Sequence, residues 1–109
     1  MHQVTASDLR SMLTGAASLL QRYGWWVGGV GDKNTGFCIV GALDEYYNMY
    51  DTEYGTRNVA VEYLEQLIGE RPLHKWNDSK GSQQESIDFL MRAAETAELG
   101  VERLKGYTW

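Results

Sequence analysis

The sequence predicts an all-α protein, four main helices around one core with two long connections. Apolar residues recur at helical spacing in four separate stretches, and each stretch is punctuated by capping residues, glycine or the single proline. The 109 residues are enough for one domain, taken as 1–109, to bury a core without disulfides or a metal.

The first helix is expected from about Ser7 to Tyr23, with Leu9, Met12, Leu13, Ala16, Ala17 and Leu20 on its apolar stripe. Thr5 or Ser7 can cap its start and Gly24 stops it. The second begins near Cys38, after Thr35 or Gly36 as cap, and carries Ile39, Ala42, Leu43, Tyr46 and Tyr50 on one face. Asp51 to Gly55 breaks that pattern before a third helix, Arg57 to Ile68, which Gly69 and Pro72 close. Ser82-Gln83-Gln84-Glu85 is a capping box opening the fourth, with Ile87, Leu90, Met91, Ala94 and Ala97 on one face. Gly100 either ends or weakens it, since Val101, Leu104 and Tyr107 can extend the stripe toward Trp109. Leu13, Leu20, Ala42, Leu43, Leu64, Leu67, Leu90 and Met91 are the expected core.

The connections Gly24–Gly36 and Glu70–Gly81 remain irregular, and loops of that length in a small domain are often functional. Asp32-Lys33-Asn34-Thr35-Gly36 has turn chemistry. A minimal hairpin pairing Trp25-Trp26-Val27 with Phe37-Cys38-Ile39 is therefore an alternative to a helical start at Cys38.

With 43% hydrophobic and 23% charged residues the chain has globular composition. A net charge of −5 disfavours a nucleic-acid partner, because such proteins gain affinity by setting Lys and Arg against phosphates. The acids cluster: Asp44, Glu45, Asp51, Glu53, Glu62, Glu65 and Glu70 share their stretch with Arg57 alone. That block reads as a solvated face, or as a docking surface for a basic partner. One cysteine forms no internal disulfide, the opening Met-His-Gln-Val shows no secretory pattern, and no apolar window reaches membrane-spanning length. A cytoplasmic setting without membrane association is the expectation.

Cys38 follows the glycine-rich stretch from Gly28 to Gly36 and sits where a helix begins, a position that favours a thiolate. A catalytic version takes His74 as base and Asp78, or Asn77, as orienting group, since the only other histidine is His2. Against it stands a buried, inert thiol and a surface histidine. Asn77 and Asp78 also suit backbone bonding that fixes a loop and caps the helix after it. The glycines lack the ending of a nucleotide-phosphate loop, and the cysteine and histidines show no metal-ligand spacing, so no metal and no cofactor are expected.

Gly24-Trp25, Cys38-Ile39-Val40-Gly41-Ala42-Leu43 and Trp76-Asn77-Asp78, in that order, resemble a family of small helical domains of unknown function from actinobacteria and bacteriophages. The resemblance implies a compact helical fold, an intracellular setting and a phage connection, and it brings no activity. His74 lies outside its motifs.

The leading expectation is a non-enzymatic binding protein whose loops gather Trp25, Trp26, Cys38, Lys75, Trp76 and Asn77 around a pocket. Its target would be a planar or nucleotide-derived small molecule, with Arg71 and Lys75 receiving phosphate, or a host protein. The alternatives are a cysteine-dependent hydrolase or transferase using Cys38 and His74, and an acidic interaction module.

Overall fold

The computed structural model describes residues 4–50 and 54–105. Its elements run α1 (Ala6–Tyr23), β1 (Gly31–Asp32), β2 (Gly36–Phe37), α2 (Ile39–Tyr50), α3 (Tyr54–Ile68), α4 (Leu73–Ser79), α5 (Gln83–Glu95) and α6 (Ala97–Arg103). The protein is thus mostly helical with one small antiparallel hairpin, as the sequence predicts, although two short helices join the four expected ones.

α1 is the central rod, packed along α5 and α2 and touching α3 and α6. Thr5 starts it: its hydroxyl accepts from Asp8 N at 3.0 Å while the Asp8 carboxylate accepts from Thr5 N at 3.2 Å. Ala16 and Ala17 keep its buried side thin. Gly15 lets the Tyr46 ring lie against the helix backbone, where a Cβ would stand 2.2 Å from the ring. Leu13, Leu20, Ala42, Leu43, Leu64 and Leu90 are all buried in one core, each large side chain contributing about 1.5–3 kcal/mol.

Leu67 and Met91 depart from expectation, because both are exposed. The core closes on α3 with Ala60, Tyr63 and Leu64 and on α5 with Phe89, Leu90 and Ala93, so these two lie at the edge of apolar stripes wider than the core needs. The expected fourth helix breaks at Thr96 rather than Gly100. Thr96 Oγ1 sits 2.6 Å from the hydroxyl of buried Tyr63, and Gly100 lies within α6, where a Cβ would stand 2.7 Å from the Tyr63 ring.

The second expected loop is largely α4. Its start is capped from another helix: the nearly buried Glu65 carboxylate of α3 accepts from Leu73 N at 2.8 Å. Arg71 then bonds Glu65 at 3.2 Å and Glu62 at 2.8 Å. Arg71 is therefore engaged by carboxylates. The break expected over Asp51–Gly55 is shorter, because α3 already begins at Tyr54; residues 51–53, His2, and the extension through Tyr107 to Trp109 lie outside the described residues. No helix among the described residues is long and apolar enough to cross a membrane.

Candidate functional site

The stretch between α1 and α2 is built on glycine and one aspartate. Asp32 Oδ1 accepts from Asn34 N at 2.8 Å and Thr35 N at 2.9 Å, which turns the chain and holds the Asp32 carboxyl below its usual range. The turn pairs Gly31 with Phe37 and Asp32 with Gly36. Gly36, at φ +94°, passes so close to Gly24 that a Cβ would lie 2.6 Å from its carbonyl carbon. Trp25 does meet Phe37, by a parallel bridge rather than in the expected hairpin, with Trp26 N donating to Phe37 O and Phe37 N to Gly24 O. The antiparallel hairpin that forms uses the same Asp32 to Gly36 turn but pairs only the residues at its two ends, Gly31-Asp32 with Gly36-Phe37.

Asn77, on α4, organises what lies beneath. Its side-chain oxygen accepts from the Trp25 indole N–H at 2.8 Å and from Ile39 N at 3.0 Å. Its amide nitrogen donates to Trp26 O at 3.0 Å and to Asp78 Oδ1 at 3.1 Å. Each of its hydrogen-bonding positions is filled, and the residue is fully buried. Ile39 N is the first free N–H of α2, so Asn77 caps the second helix, whereas the sequence suggests a cap for the helix after it. Ser82 holds that position on α5, accepting from Glu85 N at 3.1 Å.

Cys38 is the other half of that cap. It precedes α2, and its Sγ accepts from Gly41 N at 3.2 Å. Burial pushes the thiol pKa up, against the smaller opposing effect of N–H bonds from Gly41 and Val40. The helix start thus fails to yield a thiolate, because desolvation outweighs the backbone dipoles. Cys38 N donates to Val30 O at 3.1 Å. Gly41 is glycine for a visible reason: a Cβ there would meet Val30 O at 2.0 Å.

Of the residues singled out in the sequence, Trp25, Trp26, Cys38 and Asn77 converge on this hub, with Asp78 at its edge accepting from Gly28 N at 3.3 Å. Cys38 and Asn77 are both buried, at 1% and 0% exposure. His74 and Lys75 are exposed on α4, and no hydrogen bond joins His74 to Cys38. Trp76 turns to a different feature, a groove of about 310 Å³ lined by Leu67, Ile68, Trp76, Glu85, Asp88, Phe89 and Arg92. Its ring lies 5.4 Å from that of Phe89. Among the described residues no three His, Cys, Asp or Glu side chains gather as metal ligands would.

Over the hub runs the segment from Trp26 to Val30. Its backbone is tied at Trp26 N, Trp26 O, Gly28 N and Val30 O, while Trp26, Val27 and Val30 are 39%, 43% and 56% exposed. Val27, placed by the sequence only in a hairpin strand, and Val30, placed only in the glycine-rich stretch, were not among the candidate site residues. Their signal was present as apolar residues placed among turn glycines.

The acidic block is largely paired. Asp44 bonds Arg57 at 2.7 Å, Glu45 lies 3.8 Å from Lys33, Glu62 and Glu65 share Arg71, and Glu70 meets Lys80 at 3.1 Å. The Arg71 hydrogen bond holds the Glu62 carboxyl below its usual range. Asp51 and Glu53 lie outside the described residues.

Fold and site together define a small helical module in which a buried asparagine and a buried cysteine anchor an apolar surface loop. The chain belongs to the family of unknown function DUF6197, matching it over residues 4–96, a span that contains the whole hub. No curated protein and no solved structure matches it.

Proposed function

We propose that this protein is a non-enzymatic protein-binding module whose contact element is the loop from Trp26 to Val30. One observation carries the reading: three apolar side chains, each more than a third exposed, sit on a backbone pinned at four points. Exposed apolar patches on an ordered frame mark interaction sites, and a pinned loop loses little entropy on binding. Tryptophan in such a patch is a typical energetic anchor. A non-catalytic role is supported by the thiol, which is buried, protonated and used as a helix cap. The neutralised acids weaken the case for an acidic docking surface. On this reading the setting is the cytoplasm of a bacterial or phage-infected cell, and the partner is a host protein with an apolar recess.

The test is affinity capture from host extract with the wild type, with Trp26→Ser/Val30→Ser, and with Leu99→Ser as an exposed apolar control on α6. Wild type and control are expected to retain the same stoichiometric partner. The double variant should keep its thermal midpoint and lose affinity by about thirtyfold or more, the effect of removing one anchor. Equal retention by the double variant, or no retained protein on the wild type, contradicts the proposal.

A further inference from the structure

Beyond the loop, the groove between α3, α4 and α5 has a charge arrangement that selects its occupant. On α5, Glu85 and Arg92 are seven positions apart, about 10 Å along the helix and within about 20° of one line, with Phe89 between them. All three line the groove, as does Asp88 beside the acidic end. The wall therefore runs acid, aromatic, base. Trp76 packs against Phe89 from α4 with the two rings tilted by 55°, and Leu67 and Ile68 line the groove from α3.

These charges remain available to a visitor. Asp88 accepts from Gln84 at 2.8 Å, and Arg92 forms no ion pair with another described residue although Asp88 lies one turn before it, whereas Arg10, Arg57 and Arg71 all pair. Leu67 remains exposed at the groove edge. A phosphate-bearing ligand would meet Glu85 and Asp88, and a polycation would meet Arg92, so charge of a single sign is disfavoured. The volume lies at the lower limit for enclosing a small molecule and accommodates one large side chain.

We propose that this groove is a second binding site, for a helical segment of another protein that inserts one large apolar side chain. That side chain is flanked by a base facing Glu85 and Asp88 and, two turns away, an acid facing Arg92. Helix-in-groove recognition has this form, an apolar anchor with charges setting orientation.

The test uses three short helical peptides of equal length with one central leucine, flanked two turns apart by Lys and Glu, by Lys and Lys, or by Glu and Glu. Binding is followed by amide and indole NMR shifts in the labelled protein. The Lys/Glu peptide is expected to shift Leu67, Ile68, Trp76 and Phe89 and to bind about fivefold more tightly than either like-charged peptide. Arg92→Glu should move the preference to the Lys/Lys peptide, and Trp26→Ser/Val30→Ser should change nothing, which separates this site from the loop. Equal binding of all three peptides, or an unchanged preference in Arg92→Glu, overturns the proposal. So does the absence of shifts in the groove, or shifts there that depend only on protein concentration, which would make the occupant a second copy of this chain.

Discussion

Replacing Asn77 with Ala is expected to lower the free energy of unfolding by about 3–5 kcal/mol, the sum of one buried and two partly buried groups left without partners at roughly 1–3 kcal/mol each. The Trp25 indole N–H, Ile39 N and Trp26 O all lose their partner, and three segments far apart in sequence lose their common junction. Against a typical total of about 5–15 kcal/mol this is a large fraction. Asn77→Asp keeps the shape and the accepting oxygen but buries a charge beside Asp78 and removes both donors, so it should be comparably damaging. Asp78→Ala, at an exposed position, should cost about 1 kcal/mol or less. Urea unfolding of the three variants measures the contrast, and a cost below about 1 kcal/mol for Asn77→Ala would remove the hub from the account.

Gly41→Ala is expected to destabilise by about 1–3 kcal/mol even though alanine is the better helix former by about 1 kcal/mol. The added Cβ would stand 2.0 Å from Val30 O and 2.8 Å from its carbonyl carbon, both backbone atoms that no rotamer change can move. The loop must retreat from α2, breaking the bond from Cys38 N to Val30 O. Chemical denaturation gives the sign and hydrogen exchange gives the location. The Cys38 amide should exchange faster while amides of α5 keep their protection relative to the new global stability. A stabilised variant would mean that propensity decides and that the loop is not fixed to α2.

The helices with strong local signals were legible because both the signal and its effect lie within a few residues. Thr5 with Asp8 and Ser82 with Glu85 mark starts that any reader of caps finds, and Gly24 and Gly69 mark ends. α4 was not legible, since seven residues are too few for a periodic stripe and its cap is Glu65, eight positions earlier on another helix. The break at Thr96 rests likewise on Tyr63, and the exposure of Leu67 and Met91 follows from how narrow the core is on those helices.

The sequence singled out several residues that meet in the hub, and left open what they do there. Cys38, Gly41 and Asn77 stood out by motif and composition. The bonds that define their roles span 52 positions from Trp25 to Asn77 and 38 from Ile39 to Asn77, and no local pattern encodes such a pairing. The catalytic alternative for Cys38 and the observed helix cap use the same helix-start position. Burial distinguishes them.

Alkylation of Cys38 tests most directly whether these residues build a scaffold rather than carry out chemistry. At neutral pH, iodoacetamide should modify the folded protein far more slowly than the urea-unfolded chain, because the thiol is buried, held protonated and engaged with Gly41 N. Labelling of the native protein as fast as that of the unfolded chain, or faster, would mean an accessible thiolate and contradict the account.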